Sequence, residues 1–274
     1  VSPVIAASAY AWYQNTFNGY AATICLIFAL LAQIASNFGN DYFDYKKGSD
    51  NADRVGPRRA VASGDISPKS MLLATMLTLA LACVAGCSLI PIGGWELLIA
   101  GILIAIFAIA YSAGPYPLSY HGLGDIAVFI FFGLIAVNLS FYVQALYFER
   151  QVFLCSIAMG LLSVNILMVN NYRDKETDET SNKKTLVVLF GRKFAEYAYL
   201  LNGIIALAVT GTIWFTTNIT GYIAAILYLS IHLKTWYAMT KKKGTELNPI
   251  LGKTARNQLI FTLLLILILI ITRS

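Results

Sequence analysis

The sequence predicts an all-α integral membrane protein in which nine transmembrane helices surround a central cavity, with Asp-rich loops on the cytoplasmic side. Three observations lead to this fold class. Only 12% of the 274 residues are charged and 58% are hydrophobic, whereas a soluble domain carries about a quarter charged residues. Long apolar runs follow one another with short polar connections, as membrane-spanning helices do. The basic residues fall mainly on one side of the resulting topology.

Nine apolar segments supply the helices, in the order 1–13, 20–38, 71–92, 95–111, 123–148, 152–169, 194–215, 219–240 and 257–271. The first is short, starts without methionine and has no basic leader. We therefore expect a truncated N-terminus and no signal peptide. Because the apolar segments occupy most of the chain, we expect residues 1–274 to form a single domain. The other segments approach the roughly 20 residues that one crossing requires.

The connections alternate between tight turns and longer loops. If the segments simply alternate across a lipid bilayer, one side receives the loops 42–70, 112–122, 171–193 and 241–256. These loops contain all the lysines and arginines except Arg150, Lys234 and Arg273. Cytoplasmic loops are rich in Lys and Arg, so the long loops are predicted to be cytoplasmic. Topology thus accounts for the net charge of +6, and no nucleic-acid partner is expected.

Acidic residues concentrate in two of these loops. Asp41 and Asp44 follow the second apolar segment, and Asp174 and Asp178 follow the sixth. If each helix continues for one turn, the i,i+3 and i,i+4 spacings align each pair on one face. Carboxylates at a helix C-terminus lie at the negative end of the helix dipole, which is unfavourable unless cations intervene. Because Mg²⁺ binds carboxylates together with substrate phosphates, the pairs predict a metal-bridged diphosphate site; the alternative is a pair of solvated acidic loops.

The same loops contribute basic and aromatic side chains. Arg offers a bidentate fork and Lys a point charge to diphosphate oxygens, although most of these cations are expected to serve topology or lipid headgroups. Tyrosines such as Tyr42, Tyr111, Tyr120 and Tyr172 lie beside the polar loops. Aromatic faces stabilise cations and would suit the carbocation left by an allylic diphosphate. An interfacial aromatic belt explains the same residues equally well.

Two stretches carry a family resemblance. Residues 37–44 read Asn-Phe-Gly-Asn-Asp-Tyr-Phe-Asp, and residues 170–178 read Asn-Asn-Tyr-Arg-Asp-Lys-Glu-Thr-Asp. They resemble the two Asp-rich motifs of the UbiA-type intramembrane prenyltransferases. Residues 111–115 and 122–125 are similar to the loop after the fourth helix in that family. Residues 247–251 resemble the branch that prenylates 1,4-dihydroxy-2-naphthoate in menaquinone synthesis, and the match covers nearly the whole chain.

The resemblance implies a Mg²⁺-dependent enzyme of the bacterial inner membrane whose active site faces the cytoplasm. It would transfer a polyprenyl group from polyprenyl diphosphate to 1,4-dihydroxy-2-naphthoate, releasing diphosphate and CO₂ and giving a demethylmenaquinone-type product. The implied metal-binding and catalytic residues are Asp41, Asp44, Asp174 and Asp178, and Asp125 is expected to orient or deprotonate the acceptor. The implied substrate-binding residues are Asn37, Asn40, Asp50, Arg54, Arg58, Tyr111, Asn170, Asn171, Arg173 and Lys184.

The sequence departs from the family pattern in two places. The Arg-Pro segment usual on the first helix is absent, and Pro115 stands where some relatives have a lysine four residues after the tyrosine. The second departure favours the naphthoate branch. Two alternatives stay open: an enzyme for another aromatic acid such as 4-hydroxybenzoate, and a cation transporter that uses the Asp pairs. Transporters usually place ionisable residues near the bilayer midplane, so carboxylates at helix ends favour the enzyme.

Overall fold

The computed structural model describes residues 1–48, 55–215 and 219–273. Within these ranges the chain is helical and contains no β-strand. The long helices are α1 (Ser2–Tyr13), α2 (Gly19–Lys46), α3 (Pro68–Cys87), α4 (Glu96–Ala110), α5 (Gly124–Ala145), α6 (Arg150–Arg173), α7 (Leu186–Val209), α8 (Ile219–Thr240) and α9 (Asn248–Arg273). Short helical turns between them are Ile90–Gly93, Leu118–Tyr120, Lys175–Thr180, Gly211–Phe215 and Gly244–Leu247.

Several of these helices have the length and composition to cross a membrane. Among the described residues, 5 helical stretches meet both conditions: α2, α5, α6, Pro68–Gly93 and Gly244–Arg273. Helix α4 is apolar but shorter. The prediction of an all-helical protein with multiple membrane-spanning segments is confirmed in this form, while nine crossings stay a prediction.

Polar side chains fix where three helices begin. Asn18 accepts a hydrogen bond from the Ala21 amide at 3.0 Å and caps α2. Ser67 caps α3 in the same way, with a proline in the first helical turn, and Thr185 caps α7. Ser, Thr and Asn at this position satisfy amides that the helix leaves free. Residues 67 and 185 border the two acidic loops, so these caps hold the loop ends in place.

The acidic pairs differ in their backbone. Helix α2 continues to Lys46, so Asp41 and Asp44 share one helix, as the sequence predicts. Helix α6 ends at Arg173, and Asp174 leaves the helical conformation with φ −92° and ψ 9°. Asp178 lies on the separate short helix Lys175–Thr180. The expectation of one continuous helix face is therefore wrong for the second pair.

Two predicted boundaries also move. Helix α9 begins at Asn248, well before the predicted 257, because Asn248-Pro249 can start a helix although the following turn is polar. Hydropathy alone misses that turn. The predicted segment 194–215 is divided into α7 and Gly211–Phe215, and Gly191 interrupts the start of α7 with a φ of 82°. Glycine tolerates this left-handed backbone without the Cβ clash that other residues meet.

The bundle is tightly packed on one side and open on the other. Gly133 of α5 faces Gly160 of α6 so closely that a Cβ at Gly133 would lie 2.5 Å from the Gly160 Cα, the small-residue contact that membrane helices use. Helices α3 and α4 instead expose apolar side chains, among them Val84 at 69% and Ile99 at 64%. A large cavity lies between the two sides, with its wall drawn from α2, α4, α5 and α6.

Candidate active site

Two adjoining cavities lie where the acidic loops meet the bundle. The smaller, of about 70 Å³, is polar and receives side chains from α2, α5, α6 and the loops after α4 and α6. The larger, of about 730 Å³, is mainly apolar and extends along the helices. The two cavities share five lining residues, Asn40, Arg59, Tyr111, Leu167 and Asn170. A ligand with a polar head and an apolar tail would match this pair of compartments.

Asp41 ties the first loop to α2. Its carboxylate accepts hydrogen bonds from the backbone amides of Ala60 at 3.1 Å and Val61 at 3.3 Å, and the residue is only 7% exposed. Both carboxylate oxygens therefore already have donors within the protein. Among the described residues that line the two cavities, Asp41 does not occur.

Asp44 lines the polar cavity, and an aromatic residue orients it. The Tyr120 hydroxyl donates to Asp44 Oδ1 at 3.0 Å. Lys47 Nζ lies 4.1 Å from the centroid of the Tyr120 ring and donates to the Ser112 carbonyl at 2.7 Å. Lys183 Nζ lies 5.6 Å from the same centroid. Cations over an aromatic face are attracted by its quadrupole. Tyr120 thus contacts two lysines through its ring and one carboxylate through its hydroxyl.

Arg173 and Asp174 form a buried pair beside the cavities. Arg173 is 2% exposed, and its Nε and Nη2 donate to Asp174 at 2.7 and 2.6 Å. The guanidinium also donates to Asn170 at 2.6 Å and to Asn248 of α9 at 2.9 Å. These contacts use four of the five N–H donors that arginine has. The guanidinium of Arg173, a residue predicted to bind substrate, is thus bonded to the protein, where it positions Asn170.

Asp178 has a buried carboxylate oxygen that is available to a cation. Its Oδ2 is buried and has no hydrogen-bond partner within the described residues, while Oδ1 lies 3.6 Å from Lys183 Nζ. Burial raises the pKa of Asp178 to about 6, and the negative charges of Asp174 and Asp44 add to the rise while Lys183 opposes it. A buried acceptor without a partner carries a desolvation cost, which a bound cation would offset.

The oxygen donors around the polar cavity fit magnesium. Asp44, Asn40 and Asn171 line it, and Asp178 adjoins it through Lys183. No group of three or more His, Cys, Asp or Glu side chains in the described ranges is close enough to hold a metal without further ligands. Two of the four motif carboxylates are already hydrogen-bonded within the protein, Asp41 to backbone amides and Asp174 to Arg173. Mg²⁺ commonly uses one or two carboxylates together with waters and substrate phosphates, and the present arrangement fits that pattern.

Asp125 also lines the polar cavity and lies in the first turn of α5. It is 5% exposed, and its Oδ1 has no hydrogen-bond partner among the described side chains and backbone. Tyr111 follows α4, and its carbonyl accepts from the Ser119 amide at 3.0 Å and the Ser119 hydroxyl at 2.7 Å. Both residues line the polar cavity, so the structure brings these two predicted site residues together.

The predicted asparagines also reach the cavities. Asn40 accepts a hydrogen bond from the Ser112 hydroxyl, and Asn170 and Asn171 line the polar cavity. Asn37 is exposed, accepts from Gln33 at 3.3 Å and lines the apolar cavity.

Two of the predicted cations, Arg58 and Lys184, lie in surroundings other than the polar cavity, and a third is not described. Arg58 forms an ion pair with Asp65 at 2.6 Å, with 70% of its side chain exposed, although it touches the apolar cavity. Lys184 is exposed, and its backbone amide donates to the Tyr120 carbonyl at 3.0 Å. Arg54, together with Asp50, lies outside the described residues.

Sequence reasoning missed Lys183 and Arg59, the cations that line the polar cavity. Lys183 and Lys184 are neighbours in the sequence, and nothing in their order distinguishes them. The distinction arises because the Lys183 amide donates to Asp178 while the next amide donates to Tyr120. The role of Tyr120 as a partner of Asp44 was equally invisible, since an aromatic belt explains a tyrosine near a loop.

Comparisons with known proteins identify the family and the fold of this chain. The profile of the UbiA prenyltransferase family matches residues 1–251. A 1,4-dihydroxy-2-naphthoate octaprenyltransferase of Escherichia coli (strain K12) is 35% identical, over 96% of this chain and 88% of the relative. The protein of the same name from Haemophilus influenzae is also 35% identical, over 99% and 91%. A UbiA homologue from Archaeoglobus fulgidus, solved with DMAPP and Mg²⁺, has a TM-score of 0.65 at 16% identity, covering 98% of this chain and 96% of that one. This last likeness shows the fold.

Proposed function

The chain belongs to the UbiA prenyltransferase family, and from this premise we propose that it transfers a polyprenyl group from polyprenyl diphosphate to 1,4-dihydroxy-2-naphthoate. Diphosphate and CO₂ leave, and the product is of the demethylmenaquinone type, an intermediate of menaquinone biosynthesis. The observation that carries the proposal is the opening of a polar cavity, lined by carboxylates and cations, onto a large apolar one. The names of the relatives support the naphthoate acceptor.

The polar cavity suits a diphosphate. Arg59 and Lys183 line it and present positive charge to phosphate oxygens. Asp44 and Asp178, with Asn40 and Asn171, would hold Mg²⁺. When bound, the ion supplies Lewis-acid neutralisation of the charge that develops on the leaving diphosphate. Tyr120 keeps the Asp44 carboxylate in one orientation through its 3.0 Å hydrogen bond.

The prenyl chain is assigned to the apolar cavity. The bond between the first prenyl carbon and the diphosphate oxygen breaks, and its electron pair leaves with diphosphate. Tyr111 lines both cavities at this point, and its ring face would stabilise the allylic cation. The apolar wall excludes water that would otherwise trap the cation.

The acceptor then completes the reaction. The ring carbon that carries the carboxylate forms the new carbon–carbon bond to the prenyl group. The electron pair of the ring–carboxylate bond returns to the ring as CO₂ departs. Asp125 has an oxygen that lacks a hydrogen-bond donor among the described residues. It is proposed to accept the proton of a hydroxyl of the acceptor and to hold the ring in position for the new bond.

We also propose the arrangement in the membrane. Residues 1–274 form one domain with nine crossings of a bacterial inner membrane, and the acidic loops face the cytoplasm. The support is that the end of α2 and the loops after α4 and α6 meet at one end of the bundle, through contacts such as Tyr120–Asp44 and Lys184–Tyr120. The same loops carry most of the basic residues, as the positive-inside rule requires.

The test is an assay of the purified protein with octaprenyl diphosphate and 1,4-dihydroxy-2-naphthoate, with and without EDTA. We expect a prenylated naphthoquinone product that disappears with EDTA and returns with excess Mg²⁺. Prenylation that survives complete metal removal would contradict the metal-dependent mechanism. Activity on 4-hydroxybenzoate alone would retain the mechanism and refute the acceptor. Cation flux into proteoliposomes without any prenylation would favour a transporter.

A further inference from the structure

One face of α4 lines the apolar cavity along the helix. The lining residues of this face are Leu97, Ala100, Gly101, Ile104, Phe107 and Ala108, a spacing of three and four residues that defines one side of a helix. Residues between them point away, as the 51% exposure of Ile102 and the 54% exposure of Ile106 show. Tyr111 follows at the junction with the polar cavity. The helix therefore forms a wall that runs away from the reacting end.

Positions on this wall correspond to distances along a bound chain. With a rise of 1.5 Å per residue, Gly101 lies about 15 Å and Leu97 about 21 Å from Tyr111 along the axis. Helix α2 gives a similar length, since Cys25 and Asn40 both line the cavity and lie about 22 Å apart on the helix. Four carbon–carbon bonds in zigzag give an isoprene repeat of roughly 5 Å. Gly101 thus lies beside the end of the third isoprene unit.

Helix packing does not require the glycine at this position. Within the described part of the chain, a Cβ built at Gly101 meets no atom within 4 Å beyond its own helix backbone. Gly133 differs, because a Cβ there would collide with the backbone of α6, and Gly203 differs because a Cβ would overlap the His232 ring. A glycine inside a helix costs about 0.5–1 kcal/mol relative to alanine. At Gly101 the absent side chain leaves open space. This space belongs to the cavity, because Gly101 lines its wall.

We propose that Gly101 determines donor specificity: the space left by its absent side chain lets the prenyl tail continue through the cavity beyond its third isoprene unit. The inference rests on the proposed function and adds to it the residue that admits long donors as well as short ones. A larger side chain at this position blocks the path of an octaprenyl tail. A geranyl tail, with two isoprene units, ends roughly 5 Å before the block.

The test compares the specificity constants for octaprenyl and geranyl diphosphate, at saturating 1,4-dihydroxy-2-naphthoate and Mg²⁺. The variants are Gly101→Leu and, as a matched control, Gly252→Leu on α9. A Cβ at Gly252 also meets no described atom within 4 Å, but that residue does not line the cavity wall described here. We expect the octaprenyl-to-geranyl ratio of kcat/KM to fall by about tenfold or more in Gly101→Leu and to stay at the wild-type value in Gly252→Leu.

A ratio in Gly101→Leu within about twofold of wild type would overturn the inference, since the tail would then leave the cavity before Gly101. Equal losses in both variants would overturn it too. Gly101→Ala serves if the leucine variant does not fold, because alanine raises helix propensity and is expected to lower the ratio by a smaller factor. Wild-type protein that prenylates with neither donor would instead refute the proposed function.

Discussion

The motif aspartates differ at the scale of single residues in what their carboxylates already bind. Asp41 accepts hydrogen bonds from two backbone amides, and Asp174 forms an ion pair with the buried Arg173. Asp44 accepts one tyrosine hydroxyl, and one oxygen of Asp178 has no partner among the described residues. Oxygens that already have donors are less available to a cation. Asp44 and Asp178 are therefore expected to bind the metal, while Asp41 and Asp174 shape the site.

This difference predicts opposite behaviour for Asp178→Asn and Asp41→Asn. Asp178→Asn should lower kcat/KM by about 100-fold or more and raise the Mg²⁺ concentration for half-maximal activity, with no loss of thermal stability. Asp41→Asn should lower the free energy of unfolding by roughly 1–3 kcal/mol, because a buried amide loses its acceptor. Thermal unfolding in detergent and steady-state kinetics measure the two effects. A destabilised Asp178→Asn with normal Mg²⁺ dependence would contradict the assignment.

The raised pKa of Asp178 predicts a pH dependence. The pKa is about 6 in the folded protein against an ordinary 3.8, so between these values the folded state holds a proton that the unfolded state has released. The metal-free protein should therefore lose stability as pH rises through this window, by up to about 1.4 kcal/mol per pH unit. Above pH 6 this contribution becomes constant.

Metal binding should follow the opposite trend, since Mg²⁺ requires the ionised carboxylate. The half-saturating Mg²⁺ concentration is expected to rise as pH falls below about 6, approaching tenfold per unit. Titrations of activity with Mg²⁺ at several pH values measure it. The Asp178→Asn variant is the control, and its half-saturating Mg²⁺ concentration should depend less on pH. If that dependence is the same as in the wild type, the titrating group is a residue other than Asp178.

At the scale of elements, one side chain joins three parts of the fold. Arg173 ends α6 and donates to Asn248, the first residue of α9. Asn248 in turn donates to the Val55 carbonyl at 3.4 Å. The end of α6, the start of α9 and the first acidic loop are thus held together through one buried guanidinium. The geometry depends on arginine, whose planar fork makes several directed hydrogen bonds.

Arg173→Lys should therefore destabilise the protein although it preserves the charge. We expect a loss of about 2 kcal/mol, because lysine cannot maintain the bidentate pair and the contact to Asn248 together. Arg58→Lys is the control, since the Arg58–Asp65 pair is largely exposed and exposed pairs contribute about 0–1 kcal/mol. Thermal unfolding in detergent compares them. Equal effects of the two substitutions would show that the buried network does not hold the helix ends.

At the scale of the whole molecule, the two ends of the bundle differ in chemistry. One end collects the acidic loops and the polar cavity, and the other contains short turns near Arg150 and Phe148. We expect single cysteines placed at Lys69 and Phe148, in a background without Cys25, Cys83, Cys87 and Cys155, to react from opposite sides of the membrane. An impermeant maleimide should label Lys69→Cys only in inverted vesicles. Labelling of both positions from one side would refute the proposed topology.

The sequence alone was sufficient for the class of protein and for its family, and it predicts the region of the site. Hydropathy predicts a helical membrane protein because a backbone that crosses lipid must have its hydrogen bonds satisfied, and a helix does this within one apolar segment. The Asp-rich stretches locate the polar end, and the family membership follows from the same residues. Each of these properties is local, so it can be recognised without knowing which segments meet.

The tertiary structure decided the partner of each side chain. Asp44 meets a tyrosine 76 residues away, Lys183 rather than Lys184 lines the polar cavity, and Gly101 is one apolar position among many until the cavity is seen. These assignments depend on how distant helices pack and on where loop backbones find their hydrogen bonds. No local pattern encodes such contacts. An aspartate is the same letter in the sequence whether its oxygens face a backbone amide, a guanidinium or an open cavity.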